Sequence, residues 1–260
     1  MTTGNRLNVL YHLIRADFLE RTRRYSFLVT LGVMVWVGYT AVPAIDSGIL
    51  TVNLNNLRGI YNSAWVGSMI ALLSTMLLSL PGFYLVKNAI SRDQQTRVGQ
   101  IIATTPLSRP LYTLGKAMSN LLFLAIIIAI VMVAAAGTQL LRGEVMQIDI
   151  WALLAPFLFI TLPALALVAA VAVLFETIDF LLGGFGNLVY FVLYLVAIIV
   201  SMSSVSFSDQ GLIEKPINDL FGASLIGASM LQVAHAAFPA RQLDFGIGYA
   251  VVEGAIDTFA

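Results

Sequence analysis

The chain is built from long runs of apolar residues that are separated by short polar segments. Five of these runs come close to the ~20 residues that a helix needs to cross a bilayer. The predicted spans are residues 25–44, 63–86, 118–140, 150–175 and 184–202. This pattern predicts an all-α fold, a polytopic membrane helix bundle with about five clear transmembrane helices that make up a transmembrane domain over residues 25–202.

Residues 1–24, which precede the first predicted span, carry a helical pattern of their own. Five apolar residues recur at steps of three and four positions, as on one face of a helix: Leu7, Leu10, Tyr11, Ile14 and Phe18. Five arginines surround this stripe: Arg6, Arg15, Arg21, Arg23 and Arg24. The arrangement predicts an N-terminal interfacial amphipathic helix on the cytoplasmic side, with arginines near lipid phosphates. A solvated leader to the first span is the alternative.

The final segment, residues 203–260, has shorter apolar stretches that are broken by Pro216, Pro239 and several glycines. Residues 220–238 are apolar but also include polar side chains such as Gln232 and His235. This mixture favours a re-entrant or surface helix over a sixth span. After five spans the segment is expected to be extracytoplasmic, and it is either complete or the truncated start of a larger outer domain.

Composition supports the membrane class. The chain is 59% hydrophobic and 11% charged, with a mean hydropathy of +0.89, whereas a typical globular protein has about 25% charged residues. So few charges cannot cover a water-facing surface. The net charge is zero, which gives no support for a nucleic-acid partner, and the chain has no cysteine. Disulfides, thiolate metal sites and cysteine nucleophiles are therefore excluded.

The basic residues are concentrated in two places. Ten of the fourteen Lys and Arg lie in residues 1–24 and 87–117. Because cytoplasmic loops collect Lys and Arg, both segments are predicted to be cytoplasmic, in a multi-pass protein of the plasma (inner) membrane. The turn at Glu176 would then be cytoplasmic as well, although it is acidic.

Residues 87–117, called here the basic loop, form a polar segment between two apolar runs. The loop contains five basic residues and one acid: Lys87, Arg92, Arg97, Arg109, Lys116 and Asp93. Residues 88–104 have the pattern of a short amphipathic helix that stops before Pro106, because the residue before proline disfavours helix. Such a helix can rest on lipid or dock in a groove of a soluble partner, and the pattern alone leaves both open.

One ordered set of residues in the basic loop resembles the first cytoplasmic loop of type-2 ABC transporter permeases. The set is Ser91-Arg92-Asp93, Gly99, Thr105-Pro106-Leu107-Ser108-Arg109 and Gly115-Lys116. An amphipathic helix before the first span is also similar to that family's layout. The family usually has six spans and the pattern gives five, so either the sixth is absent or the chain is part of a longer permease.

The resemblance implies the membrane permease subunit of an ATP-driven ABC transporter that exports an unidentified substrate. Its partners would be a separate ABC ATPase subunit, a second permease subunit in a homo- or heterodimer, and membrane lipids. The chain itself would not be an enzyme and would hold no cofactor, because ATP would bind to the partner. The basic loop would act as a coupling helix through six residues: Arg92, Asp93, Arg97, Gly99, Pro106 and Arg109.

Two other interpretations of the basic loop stay open. Its arginines can be a topology signal whose partner is lipid phosphate. The whole protein can also be a non-transporting membrane scaffold or assembly factor whose basic loop binds a soluble protein or anionic lipid. A secondary transporter is disfavoured, because no predicted span has a clear charge in its core.

Other candidate sites have less support. The glycines at 183–186 lack the lysine of a phosphate-binding loop. His12 and His235 lie far apart without nearby acids, so no metal site or catalytic residue is expected. Glu176 and Asp179 lie at a span boundary, where Asp179 would favour the N-terminus of the fifth span.

Overall fold

The computed structural model describes residues 3–95, 108–203, 219–241, 243, 245–252 and 256–259. The fold is mostly helical and consistent with a helix bundle. Among the described residues, four helices are long and apolar enough to cross a membrane, which indicates a membrane protein: Ser63–Gln95, Arg109–Arg142, Ile150–Thr177 and Gly184–Met202.

The helices are numbered along the chain as α1 (Thr3–Thr22), α2 (Tyr25–Thr40), α3 (Ser63–Val86), α4 (Ala89–Gln95), α5 (Arg109–Arg142), α6 (Ile150–Pro156), α7 (Leu162–Thr177), α8 (Gly184–Ser203) and α9 (Ala223–Ala237). A π-helical segment, Phe157–Thr161, joins α6 to α7, and a 3-10 turn, Asp179–Leu181, lies between α7 and α8. The strands are β1 (Ile49–Asn53), β2 (Leu57–Gly59), β3 (Gly246–Val251) and β4 (Asp257–Phe259).

The second to fifth predicted spans coincide with the four long apolar helices. The first, residues 25–44, corresponds to α2, which is apolar but has 16 residues and ends at Thr40. Pro43 follows shortly after this end. Pro81 lies inside α3, where a helix in lipid can tolerate it. The segment 220–238 contains α9, a helix of 15 residues.

Four short strands were not part of the all-α prediction. β1 pairs antiparallel with β3, with Ile49 opposite Val251, and β2 pairs parallel with β4. β1 has β-branched residues that suit a strand, but its partner lies about two hundred residues further along the chain. No local pattern near residue 50 indicates such a distant partner, and the sequence of this region is typical of a polar loop.

The contacts of the chain fall into two units, which are described separately. The loop unit comprises Met1–Val33, Leu77–Ile128 and Leu162–Tyr194. The strand unit comprises Met34–Met76, Ala129–Thr161 and Leu195–Ala260.

Aromatic rings form part of the core of the loop unit. The Phe83 ring stacks on Tyr190 with the ring centroids 3.6 Å apart, and its edge meets Phe175 at 5.4 Å. The Tyr190 hydroxyl donates to the backbone carbonyl of Ser79 at 2.7 Å, so its polar end is satisfied inside the core. These contacts join α3, α7 and α8 within this unit.

In the strand unit, α9 contacts β2 and β4. The Trp65 ring meets Phe259 of β4 edge-on at 5.8 Å. Gly67 lies so close to α6 that a Cβ at this position would overlap the backbone of Leu153. The glycine therefore permits backbone-to-backbone packing of α3 against α6.

Candidate functional site

The basic loop begins with a sharp turn after α3. Asn88 has φ +70°, a left-handed conformation that asparagine tolerates better than most residues. The turn separates α3 from α4, which covers the first part of the predicted amphipathic helix and carries Arg92 and Asp93. All residues of the site described below belong to the loop unit.

Lys116 of α5 is the centre of a buried charge cluster. Its Nζ lies 2.9 Å from Asp17 Oδ2 on α1 and 2.7 Å from Asp93 Oδ2 on α4. The Tyr112 hydroxyl donates to the same Asp93 oxygen at 2.7 Å. Lys116 is 1% exposed, and Asp17 and Asp93 are each 7% exposed. The charge cluster, defined as Asp17, Asp93, Tyr112 and Lys116, therefore ties α1, α4 and α5 together away from water.

A second ion pair joins α4 to α1 nearer the surface. Arg92 Nε lies 3.2 Å from Glu20 Oε1, which also pairs with Arg24 at 2.9 Å. About half of the Glu20 side chain is exposed. Because water screens exposed pairs, this contact orients the Arg92 side chain more than it stabilises the fold.

Glu176, at the end of α7, caps the N-terminus of α4. Its carboxylate accepts hydrogen bonds from the backbone amides of Ala89 at 3.0 Å, Ile90 at 2.6 Å and Ser91 at 3.2 Å. The first amides of a helix have no partner inside the helix, and the positive end of its dipole favours a negative charge. A buried carboxylate from another helix satisfies both needs here.

Lys87 makes the reverse connection. Its Nζ donates to the carbonyl oxygens of Leu181 at 3.4 Å and Gly183 at 3.1 Å, and to Asn187 Oδ1 at 2.8 Å. The end of α7 therefore accepts hydrogen bonds from the basic loop through the Glu176 carboxylate, and the turn after α7 accepts hydrogen bonds from the Lys87 ammonium group of that loop. Side chains cannot reach across ~30 Å of hydrocarbon, so this turn and the start of the basic loop at Lys87 lie on the same side of a membrane crossed by α3, α7 and α8.

Arg21 of α1 is also buried, but its contacts differ from those of Lys87 and Lys116. It is 2% exposed, and its guanidinium carbon lies 5.9 Å from the centroid of the Phe123 ring. Among the described residues, neither of its terminal nitrogens has a hydrogen-bond partner. Burial lowers the pKa of Arg21 to about 10, and the charge of Asp17 opposes this shift. Arg21 thus stays charged at neutral pH inside the protein.

Only part of the predicted set of coupling residues meets in this site. Arg92 and Asp93 lie on α4 and pair with α1 and α5. Arg109 is the first residue of α5, and its side chain is exposed and lies outside the charge cluster. Arg97, Gly99 and Pro106 lie outside the described residues.

The sequence pattern does not predict Asp17 and Glu176 as partners of the basic loop. The pattern of the N-terminal helix predicts five arginines near lipid phosphates, but Arg21 is buried in the loop unit, whereas Arg15 and Arg23 are exposed. A signal was present, because Asp17 adjoins Phe18 and follows Ile14 by three residues, so an acid lies within the apolar stripe.

The strand unit has an ion pair of its own. Glu144 accepts from both terminal nitrogens of Arg58, at 2.6 and 3.0 Å, and from the Tyr61 amide at 2.9 Å. The hydrogen bonds from Arg58 are the largest influence on the pKa of Glu144, which is lowered. This pair links β2 to the segment after α5 and offers no nucleophile or ligand set.

The described part of the chain contains no group of three or more His, Cys, Asp or Glu residues that could hold a metal ion. The buried charges bind one another and backbone groups, an arrangement suited to holding helices together. No protein-family model, curated protein or solved structure matches the chain.

Proposed function

We propose that the chain is the membrane permease subunit of an ATP-driven ABC exporter, energised by a separate ATPase subunit. The ordered residues of the basic loop, from Ser91 to Lys116, are the sequence feature that supports this proposal. The observation that carries it is the attachment of α4 by buried charges to α5 and α7, and through Lys116 to α1.

A coupling element must pass a push from a soluble partner to helices in the membrane. α4 meets this requirement, because Asp93 binds Lys116 of α5, which also binds Asp17 of α1. Glu176 holds the other end of α4 to α7. A force on α4 would therefore reach α1, α5 and α7 together.

The cost of breaking these contacts also suits coupling. Removing one partner of a buried, hydrogen-bonded ion pair costs roughly 3–5 kcal/mol, because the other charge stays unpaired. A contact with lipid headgroups alone does not require such attachment, since a helix resting on a bilayer can be held by its apolar face. The buried charges thus favour a mechanical role for the loop over a topology signal alone.

In this proposal the N-terminus and the basic loop face the cytoplasm at the plasma membrane, and residues 203–260 lie on the other side. Arg92 and Asp93 anchor the loop, whereas Arg97, Gly99, Pro106 and Arg109 are the coupling residues that contact the ATPase. Two permease subunits enclose the pathway for a substrate whose identity is open.

A single introduced cysteine tests the proposal. Gln95 ends α4 and is exposed, and the chain has no native cysteine, so Gln95→Cys carries a unique label. A photoactivated cross-linker attached there, in membranes of the native host, is expected to capture one protein in stoichiometric amount. Purification in mild detergent and mass spectrometry should identify that protein as an ATPase with nucleotide-binding motifs.

Met146→Cys is the matched control, since Met146 is 66% exposed and belongs to the strand unit. It should not capture the ATPase. Cross-links from Gln95→Cys to lipid alone, or to a protein without ATPase activity, would contradict the proposal and favour the scaffold or assembly factor.

A further inference from the structure

The buried charges of the loop unit are balanced in number but unevenly paired. Lys116 binds two carboxylates, those of Asp17 and Asp93. Arg21 is equally buried, yet its two terminal nitrogens have no hydrogen-bond partner among the described residues. A buried donor without a partner in a native structure calls for an explanation. One explanation is that its partner is engaged elsewhere in this conformation.

Asp17 is the carboxylate best placed to be that partner. It lies four residues before Arg21 on α1, and both side chains are buried on the same face. In a helix an acid followed by a base at this spacing is the favourable order for a pair. Asp17 also attracts the Arg21 charge electrostatically, and Glu176 attracts it more weakly, while Arg92 repels it. Arg21 therefore needs no movement of α1 to approach Asp17.

We propose that the charge cluster is a latch with two pairings, in which Arg21 takes over the Asp17 carboxylate when Lys116 moves away with Asp93. In the pairing seen here, Lys116 joins α1 to α4 and α5. In the second pairing, Asp17 binds Arg21 within α1, and Lys116 keeps Asp93, which Tyr112 also holds.

The change of the Asp17 partner from Lys116 to Arg21 avoids the unpaired charge that movement of the basic loop would otherwise leave. Separating Lys116 from Asp17 without a substitute would leave a carboxylate buried and unpaired, which is strongly unfavourable. With Arg21 as the substitute, α1 separates from α4 and α5 while each buried carboxylate keeps a cation. The inference rests on the proposed function for the force that moves the basic loop. The change of partner itself involves only Asp17, Arg21 and Lys116 of this chain.

Four forms of the full chain in detergent test the latch: wild type, Arg21→Met, Lys116→Met and the double variant. The readout is amide hydrogen exchange of the α1 peptide that contains Asp17, followed by mass spectrometry. Arg21→Met should change the exchange rate less than threefold, because the terminal nitrogens of Arg21 have no hydrogen-bond partner to lose among the described residues. Lys116→Met should accelerate exchange about tenfold or less, because Arg21 takes over Asp17.

In the double variant the exchange rate relative to wild type should be at least ten times the product of the relative rates of the two single variants, because Asp17 then has neither cation. The same three variants in an Asp17→Asn background are the control. There the effects should simply multiply, since the carboxylate that links them is gone.

If the effects of the two substitutions on the exchange rate simply multiply in the protein that keeps its native Asp17, the latch is overturned. Failure of Arg21→Met to fold would also overturn it, because that would make Arg21 essential to the pairing seen here. If Lys116→Met does not fold because buried Asp93 has lost its cation as well, Asp93→Asn is added to all four forms, and failure of Lys116→Met to fold in that background would overturn the latch. The exchange measurement needs no ATPase. Its outcome is therefore separate from the cross-linking experiment at Gln95, which tests the proposed function.

Discussion

Replacing Glu176 by glutamine tests whether α4 is held by the end of α7. The Glu176 carboxylate accepts from the amides of Ala89, Ile90 and Ser91, with one oxygen taking one bond and the other taking two. Glutamine has nearly the same size but only one acceptor oxygen, and its NH₂ group would face at least one backbone N–H. The variant therefore removes the charge and at least one hydrogen bond while leaving the packing in place.

The size of the effect follows from these contacts. A hydrogen bond to a charged group contributes about 1.5–3 kcal/mol, and a charge at a helix N-terminus adds roughly 0.3–1 kcal/mol. Together they predict that the free energy of local opening at the start of α4 falls by about 2–4 kcal/mol. Since each 1.4 kcal/mol is tenfold, the three amides should exchange with solvent about 30- to 700-fold faster.

Hydrogen exchange of the peptide that contains α4 measures this change in the detergent-solubilised full chain. Asp179→Asn is the matched control, because it is the same kind of substitution on the same turn and Asp179 is exposed. It should leave exchange at α4 within about threefold of wild type, as is usual for surface changes of up to ~0.5 kcal/mol. Equal exchange in Glu176→Gln and Asp179→Asn would refute the argument and show that other contacts hold α4.

Three further predictions concern the strand unit. Arg58→Met should lower the free energy of unfolding by about 1–3 kcal/mol, between the costs for exposed and buried pairs, because Arg58 is buried but a quarter of the Glu144 side chain is exposed. Arg241→Met, which breaks an exposed pair of 2.7 Å, should cost about 0–1 kcal/mol. Equal losses of unfolding free energy in the two variants, measured by tryptophan fluorescence, would contradict the role of burial. Because the pKa of Glu144 is lowered on folding, its contribution to the free energy of unfolding should be complete above its unfolded-state pKa and lost as the pH falls through its folded-state pKa. In an acid titration, the Arg58→Met variant should therefore lose less unfolding free energy than wild type. Gly67→Ala should lower the thermal midpoint, with a cost of about 1–3 kcal/mol, since its Cβ would overlap the backbone of Leu153; an unchanged midpoint would contradict the close approach.

The long apolar helices could be predicted because their signal is local. A run such as residues 150–175 has enough apolar residues to indicate a membrane helix without knowledge of its neighbours. The strands could not be predicted in this way. β1 has only five residues, and β3 lies near the other end of the chain. Pairing at that distance leaves no periodic pattern in either segment.

The same distinction applies to the site. The motif in the basic loop predicts Arg92 and Asp93 as site residues but does not predict their partners. Lys116 meets a partner 99 residues away in Asp17, and Ile90 meets one 86 residues away in Glu176. Basic residues at the edge of a membrane span are expected from topology alone. The burial of Lys116 together with its ion pairs to Asp17 and Asp93 shows that it holds helices together.

The cap on α4 has a consequence for how the protein is made. Glu176 follows Ile90 by 86 residues, so the ribosome completes α4 long before it adds the carboxylate that satisfies the first amides of α4. Until α7 has been synthesised and inserted, the start of α4 lacks its native acceptor and its lowest-energy position. A chain that ends before residue 176 should therefore lack the native cap of α4, whatever the rest of its sequence.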